Sequence, residues 1–182
     1  DSVQRSVPID RGALEYVPPP YNDTIYISSS ASPGGDGQTP ATAYQSPAAF
    51  SYNCQSNMMY LFKRGETHVF TSRFNISTKS NVYVGAYGSG DRPLIQRGPT
   101  GSTEAIIFIG QRSTDVIVRD LELEDPTPYA VDAIIGLTGA WNSGTTENIW
   151  IENVIMHGAQ WGVRGGPYGT GESILRNVTF KN

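Results

Sequence analysis

Several side chains that could carry chemistry are close together in the sequence near residues 157–168. His157, Trp161, Arg164 and Tyr168 fall in this stretch, and Asp132 opens an earlier apolar segment. A cationic group with a His or Tyr could neutralise a uronate carboxylate and abstract the neighbouring proton, the step that a polysaccharide lyase needs. We expect His157, Arg164 and Asp132 to be catalytic and Trp161 and Tyr168 to bind substrate. Alternatively, Arg164 and Asp132 pair at the surface and His157 fills a turn.

A second group of candidate residues is the acidic run of Glu122, Glu124 and Asp125. Two carboxylates roughly 5 Å or 6.5–9.5 Å apart can hydrolyse a glycosidic bond. Glu122 and Glu124 alternate along a predicted strand and therefore point outward together. The sequence favours the simpler interpretation, in which they form a solvated face that opposes edge-to-edge aggregation.

The composition favours strands and turns over helices. The 182 residues include 20 Gly and 12 Pro, and only 16% are charged, against roughly 25% in an ordinary soluble protein. The residues that surface helices need are scarce, which argues against a helical bundle. A net charge of −4 argues against nucleic acid as a partner. No apolar run is long enough to span a membrane.

The sequence indicates neither a disulfide framework nor a metal site. Cys54 is the only cysteine, which excludes an intrachain disulfide and a Cys-rich metal site. A lone Cys in an apolar stretch is usually a small buried hydrophobe. The loop 33–37 has one Asp among glycines, too few ligands for calcium. We expect no metal and no cofactor.

Residues 1–23 form a Pro-rich N-terminal arm. They end in Val17-Pro18-Pro19-Pro20-Tyr21, and consecutive prolines favour an extended conformation and forbid a helix. Either this segment is a poorly ordered tail, or it lies on its own fold or on a neighbouring molecule.

Residues 24–57 are predicted to contain a first strand at 24–28, a Gly-rich loop and a short capping helix. Ser46 and Pro47 suit the N-cap and first position of a helix, and Phe50 and Cys54 would share a face. We expect this helix to end near Asn57 and to cover one end of a stack of strands.

Short apolar segments recur through residues 58–182. One series begins near Met59, Val82, Ile106, Ala133 and Trp161, at intervals of 23, 24, 27 and 28 residues. A second series lies between its members, and a third apolar segment follows after a polar pair. The second series is Leu94-Ile95, Val116–Val118, Ile149–Ile151 and Ser173–Leu175. This short period predicts a β-solenoid of about five coils. A propeller and a β-sandwich are the alternatives.

Polar residues at equivalent corners support this repeat. Asp120, Asn153 and Asn177 each precede a third-series segment. Asn and Asp tolerate the left-handed conformation, and stacked Asn side chains can hydrogen-bond between coils. We expect these three residues to form a structural corner ladder.

Three runs resemble the N-terminal part of right-handed parallel β-helix proteins of the pectate-lyase-like superfamily, which includes chondroitinase-type and alginate-type polysaccharide lyases. The runs are YLFKRGET from Tyr60, NVYVGAYGSGDRPLI from Asn81 and DVIVRDLEL from Asp115. The Gly-Gly-Asp-Gly and Thr-Pro-Ala-Thr-Ala stretches before the predicted helix are similar to that family too. The resemblance covers about 24–182 and implies an all-β, right-handed parallel β-helix. Members include lyases, hydrolases, epimerases, tailspikes and adhesins, so the fold does not define one chemistry.

In β-helix enzymes of this type, substrate lies along the face of the first strand series. The resemblance therefore implies that Lys63 and Arg64, which follow its first strand, also bind substrate.

Two functions are consistent with these features. The first is an extracellular or cell-surface protein that binds or cleaves a polysaccharide, with a uronate polymer as the lyase substrate. The second is a non-catalytic filament, sheath, adhesin or spike subunit. Since the sequence stops directly after a strand, its last coil would be covered either by further coils of the same protein or by a second copy.

Three Asn-x-Ser/Thr sequons begin at Asn22, Asn75 and Asn177. Asn177 is a predicted corner residue and a poor glycan site. Asn22 and Asn75 are the candidate glycosylation sites, and Asn22 is the more accessible.

Overall fold

The chain is built almost entirely from β-strands. The computed structural model describes residues 21–99, 104–110, 112–127, 130–138, 144–165 and 173–181. Within this part of the chain the strands are β1 (Asp23–Ile27), β2 (Met58–Lys63), β3 (Thr67–Phe70), β4 (Phe74–Ser77), β5 (Ser80–Tyr87), β6 (Leu94–Arg97), β7 (Ala105–Gly110), β8 (Thr114–Arg119), β9 (Glu122–Glu124), β10 (Ala133–Thr138), β11 (Gly144–Glu152), β12 (Ile155–His157), β13 (Trp161–Gly165) and β14 (Ser173–Lys181).

The strands form three sheets in which every pairing is parallel. Sheet 1 has the order β1-β2-β5-β8-β11-β14, sheet 2 contains β3, β6, β9 and β12, and sheet 3 contains β4, β7, β10 and β13. From β2 onward the chain visits sheets 1, 2 and 3 in turn, and it does so repeatedly until β14 returns to sheet 1. Successive coils therefore stack strand on strand, which is the arrangement of a parallel β-solenoid. The expectation of an all-β fold with parallel sheets is confirmed.

Apolar side chains at the same register in successive strands fill the interior. In sheet 1, Tyr60, Val84, Val118 and Ile151 are aligned, and each of them is buried. Sheets 2 and 3 contribute comparable inward rows. In sheet 2 Ile95 is aligned with Leu123, and in sheet 3 Ile107 is aligned with Ile135. This repeated burial of aligned apolar side chains is the main stabilising term of the fold.

The structure changes how the predicted segments group. The five segments of the first series are all strands, but Met58–Lys63 and Ser80–Tyr87 belong to sheet 1, whereas the other three belong to sheet 3. The two short strands Thr67–Phe70 and Phe74–Ser77 were not predicted and account for the difference. Ser173–Lys181 is one continuous strand rather than two segments separated by a corner.

The expected capping helix is reduced to one turn of 3-10 helix. Ser46 caps it, as predicted, by accepting a hydrogen bond from the Ala48 amide, and Pro47 occupies the first position. The helix ends at Phe50 because Ser51 adopts a left-handed conformation, so it does not reach Asn57. A second 3-10 turn spans Pro40–Thr42. Within the described residues there is no α-helix.

This first end of the solenoid is closed. The Phe50 ring packs against Tyr60 and Phe74, with ring centroids 5.3 and 6.0 Å away, and covers the first coil. The edge of β1 that does not pair with β2 is hydrogen-bonded to a loop, because the Tyr26 amide donates to the Gly37 carbonyl and the Tyr44 amide donates to the Tyr26 carbonyl. The edge of β1 therefore has its own cover.

A ladder of polar residues runs along sheet 1, one position before the inward row of Met58, Val82, Val116 and Ile149. Its described members are Asn57, Asn81, Asp115 and Asn148, which all have positive φ values between 55 and 61°. Asn81 Nδ2 donates to Asn57 Oδ1 at 3.2 Å, and Asn148 Nδ2 donates to Asp115 Oδ1 at 3.0 Å. Asn and Asp adopt this left-handed conformation more readily than other non-Gly residues.

A second corner lies between sheets 1 and 2. There Asn153 Nδ2 donates to Asp120 Oδ1, and both residues have positive φ. Asn177 does not lie at this corner. The pairing of Val178 with Ile149 puts Asn177 in register with Asn148, which places it on the sheet 1 ladder. The 24-residue spacing between Asn153 and Asn177 does not reflect a shared corner, because Asn153 follows Glu152, and Glu152 pairs with Lys181 of β14.

The buried polar groups among the described residues include His68 and an ion pair, which lie on or beside strands of sheet 2. His68 is buried against the Phe62 ring, and burial lowers the pKa of its imidazole. Arg97 and Asp125 form a buried ion pair with a distance of 3.0 Å between Nε and Oδ1. The other carboxylate oxygen of Asp125 accepts from the Val131 amide at 2.9 Å. The pair therefore fixes the loop that leads into β10.

Cys54 is buried, as expected for a lone cysteine in an apolar stretch. Residues 1–20 of the N-terminal arm and Tyr168 lie outside the described residues; Tyr21 is the first residue described, and its ring packs on Tyr83 with centroids 6.0 Å apart. In the described part of the chain no helix is long and apolar enough to cross a membrane.

We predict that Asp115→Asn stabilises the protein. Asn81 Oδ1 is buried without a hydrogen-bond partner, and Asp115, the next residue in register, offers only acceptor oxygens. An amide at position 115 would donate to Asn81 and still accept from Asn148. We expect the free energy of unfolding in urea to rise by about 1 kcal/mol.

Asp120→Asn is the matched control. Asp120 Oδ2 faces the guanidinium groups of Arg64 and Arg119 at 3.6 and 3.4 Å, so the same change removes ionic contacts and satisfies no orphaned acceptor. We expect no stabilisation from it. Equal unfolding free energies for wild type and Asp115→Asn would contradict the ladder interpretation.

Candidate functional site

The register of sheet 3 brings together two of the residues that were predicted to be catalytic. Asp132 directly precedes β10 and Arg164 lies in β13, the next strand of the sheet. Arg164 Nη1 donates to Asp132 Oδ2 at 3.0 Å, and the two side chains are about half exposed, at 47% and 48%. The Asp132 carbonyl also accepts from the Trp161 amide at 3.1 Å, which fixes the start of β13. The ion pair weighed as an alternative is the observed arrangement.

Trp161 is exposed beside this ion pair. Its exposed fraction is 53%, which is unusual for a tryptophan in a strand. An open cleft lies next to the ring. Its described lining residues are Gln160, Trp161, Val163, Arg164 and Gly165.

The outer face of sheet 3 continues from this cleft toward earlier coils. Gly136 is in register with both Arg164 and Phe108. Because Gly136 has no side chain, the Phe108 ring lies over it; a Cβ there would come within 3.2 Å of Phe108 Cδ2. The Arg73 guanidinium lies over that ring, 4.4 Å from its centroid, and pairs with Glu104. The outer face thus combines the exposed Trp161 ring with two ion pairs, whereas the Phe108 ring is buried.

His157 lies on sheet 2 and contacts carboxylates there. Its Nε2 is 3.0 Å from Glu122 Oε1 and its Nδ1 is 3.5 Å from Glu124 Oε1. Gln96 donates to the remaining oxygen of Glu124. His157 therefore bridges β9 and β12, and its described contacts are with these two carboxylates and not with the Asp132–Arg164 pair.

This arrangement limits the chemistry of the acidic run. Alternate residues on a strand are about 6.7 Å apart, within the separation that inverting glycosidases use. The imidazole of His157 occupies the space between Glu122 and Glu124, so a substrate would have to displace it. Asp125 is buried with Arg97 and faces no solvent. The contacts of His157 with Glu122 and Glu124 therefore link β12 to β9 within sheet 2.

Lys63 belongs to a polar cluster around Glu66 where sheet 1 meets sheet 2. Lys63 Nζ lies 3.0 Å from Glu66 Oε1, and Ser28 Oγ lies 3.0 Å from each carboxylate oxygen; Ser30 donates to the same carboxylate. Burial disfavours the ionised form of Glu66, but hydrogen bonds from Ser30, Lys63 and Ser28 outweigh it and lower the pKa of this carboxyl to about 2. The charge of Lys63 is therefore already compensated.

Arg64 is also paired with a carboxylate. Its guanidinium lies 3.6 Å from Asp120 Oδ2, at the corner that Asn153 stabilises. Lys63 and Arg64, which were predicted to bind substrate, are thus paired with the carboxylates of Glu66 and Asp120. Neither carboxylate was predicted to bind substrate.

The two candidate glycosylation sites differ in their surroundings. Asn22 is exposed. Asn75 lies in β4, where its side-chain Nδ2 donates to Asn53 Oδ1 at 3.2 Å and its side-chain Oδ1 accepts from Ser77 Oγ at 3.0 Å. Glycosylation at either position stays a prediction.

The described residues include no cluster of three or more His, Cys, Asp or Glu side chains that could hold a metal ion.

Comparisons with known proteins identify the fold. No protein-family model matches the sequence, and a search of curated proteins finds no match. Two solved structures, the native protein and the selenomethionine derivative of the GH136 lacto-N-biosidase from Eubacterium ramulus, match with 18% sequence identity and a TM-score of 0.57. Each match covers 87% of this chain and 30% of that enzyme. The chain therefore shares its fold with part of a glycoside hydrolase and spans about a third of that enzyme's length.

We predict that Glu66→Gln lowers stability at neutral pH and not in strong acid. The pKa of this carboxyl is about 2 in the folded protein and 4.5 ordinarily. Because folding lowers it, the stabilisation is present above pH 4.5 and is lost as the pH falls toward 2. We expect wild type to exceed Glu66→Gln by on the order of 3 kcal/mol at pH 7, and the difference to vanish near pH 2.

Glu152→Gln serves as the control. The Glu152 carboxylate is 37% exposed and lies 4.0 Å from Arg119, a geometry worth under about 1 kcal/mol. Urea unfolding across the pH range measures both variants. A deficit for Glu66→Gln that did not change with pH would show that the carboxylate charge is not responsible.

Proposed function

We propose that this chain binds a glycan on the outer face of sheet 3, with Trp161 as the stacking residue. The observation that carries the proposal is the exposed Trp161 ring beside the Asp132–Arg164 pair in an open cleft. A large, rigid ring costs little conformational entropy when it binds a ligand.

The polar groups of the cleft suit saccharide hydroxyls. The guanidinium of Arg164 and the amide of Gln160 supply N–H donors, and the carboxylate of Asp132 supplies acceptors. Small-molecule sites combine apolar surface with a few such groups that fix the orientation of the ligand. A flat apolar ring flanked by planar donors and acceptors matches a sugar, which has an apolar face and a polar rim.

The structural neighbour supports a glycan as the ligand by analogy. It is a lacto-N-biosidase that shares the solenoid fold. A shared fold does not transfer an activity, because function depends on the residues of the site. The proposal for this chain is accordingly binding, while cleavage by His157, Arg164 and Asp132 stays a hypothesis that their separate contacts do not favour.

We further propose the finer features of the fold and setting. The repeated order of sheets 1, 2 and 3 supports a right-handed parallel β-helix of about five coils related to the pectate-lyase-like superfamily, and parallel crossovers are right-handed in nearly all proteins. A polysaccharide ligand supports an extracellular or cell-surface location.

One observation weighs against head-to-tail self-assembly as the alternative function. In such a filament β14 of one copy would pair with β1 of the next. The loop around Gly37 and Tyr44 already hydrogen-bonds to the edge of β1, so this edge is not available for a strand. A filament would need a different contact.

We predict that Trp161→Ala weakens glycan binding about tenfold, because it removes the stacking surface. The measurement is isothermal titration calorimetry with soluble cello-, xylo-, manno- and chito-oligosaccharides. Circular dichroism checks that the variant is folded.

Val69→Ala is the matched control. Val69 is 50% exposed on β3 of sheet 2, so its truncation also removes exposed apolar surface without touching the cleft. We expect wild-type affinity from it. Wild-type affinity in folded Trp161→Ala, or a wild-type protein that binds none of the saccharides, would refute the proposed site.

A further inference from the structure

We infer that the glycan bound at this site is uncharged. The inference rests on the proposed function and names the substrate class for the same cleft. It departs from the sequence expectation of a uronate polymer, which required an available cation.

The cation at the cleft already has a carboxylate. Arg164 Nη1 contacts Asp132 Oδ2 at 3.0 Å, and the two side chains are exposed to the same extent. A uronate carboxylate reaching Arg164 would lie close to Asp132 as well, and the repulsion between the two anions would offset the attraction to the guanidinium. The pair thus contributes little net attraction for an anion.

Among the described neighbours of the cleft, the charges that the structure pairs supply no surplus of positive charge. On the same face of sheet 3, Arg73 pairs with Glu104. On the adjoining strands of sheet 2, Glu122 and Glu124 share the single imidazole of His157, an arrangement with more carboxylates than cations. The whole chain has a formal net charge of −4. An anionic polymer would be repelled on approach.

The other cations predicted to bind a uronate are compensated too. Lys63 pairs with Glu66 at 3.0 Å and Arg64 pairs with Asp120 at 3.6 Å. Neither lies on sheet 3, since Lys63 ends β2 of sheet 1 and Arg64 follows it. The positive charges expected to line a uronate path are therefore in local ion pairs elsewhere.

A neutral saccharide fits the ion pair without separating it. A guanidinium carries several N–H donors, and a carboxylate has two oxygens with several lone pairs. Neighbouring sugar hydroxyls can accept from Arg164 and donate to Asp132 together. Hydrogen bonds to charged groups are stronger than those between neutral groups, so the pair can orient an uncharged ligand.

The test compares uncharged and anionic saccharides on the intact chain. Binding of cello-, xylo-, manno- and chito-oligosaccharides and of oligogalacturonate is measured by calorimetry at low and at high salt. We expect an uncharged oligosaccharide to bind at least tenfold more tightly than oligogalacturonate, with an affinity that changes little with salt.

Asp132→Asn tests the stated cause. It keeps the shape of the side chain and its carbonyl acceptor while removing the negative charge beside Arg164. We expect the affinity for oligogalacturonate at low salt to rise severalfold, and Val69→Ala to leave both affinities unchanged. No gain in Asp132→Asn would overturn the role assigned to the carboxylate.

The remaining outcomes separate the two proposals. A wild-type preference for oligogalacturonate that falls with salt and disappears in Arg164→Ala would overturn this inference and leave the glycan-binding proposal standing. Failure of every saccharide to bind would overturn the proposed function, and this inference with it.

Discussion

Four successive coils of the solenoid turn at the same register, and left-handed Asn and Asp residues make that turn possible. Asn57, Asn81, Asp115 and Asn148 hold one backbone conformation in four successive coils. For most residues this conformation costs roughly 1–2 kcal/mol, and side-chain hydrogen bonds along the ladder offset part of the cost. A β-branched residue at any of these positions would leave the next strand misdirected and the inward row after it out of line.

The proposed binding surface follows from this register. The pairing of β10 with β13 is what sets Arg164 beside Asp132, although the two are 32 positions apart in sequence. The same alignment puts Gly136 beneath the Phe108 ring. The charge of the binding surface is set locally by pairs of opposite sign, which is why the site favours a ligand without charge.

The repetitive part of the fold could be predicted because aligned apolar segments recur at short intervals. The assignment of strands to sheets could not, because the intervals vary with loop length and the four-residue strands Thr67–Phe70 and Phe74–Ser77 leave a weak periodic signal. The helix at Ser46 had correct start signals, but left-handed residues from Ser51 onward end it after one turn. Capping signals define where a helix begins and say little about its length.

The candidate site could be predicted only in part, for a related reason. Residue types identified Trp161, Arg164 and Asp132 as candidates. A surface ion pair between Arg164 and Asp132 was one of the two alternatives that the sequence left open. Sequence did not show that His157 faces Glu122, 35 positions earlier, because such contacts between coils depend on the register of distant strands. The buried pair of Arg97 and Asp125 escaped notice because charged residues rarely occupy a core row.

The most direct test of the binding surface is nuclear magnetic resonance of the tryptophan indoles. The isotope-labelled protein would be titrated with the uncharged oligosaccharide that binds most tightly. If the outer face of sheet 3 holds the saccharide, the indole N–H signal of Trp161 will shift in proportion to occupancy, while that of Trp150, on β11 of sheet 1, will stay in place. A shift at Trp150 with none at Trp161 would contradict the assignment of the site.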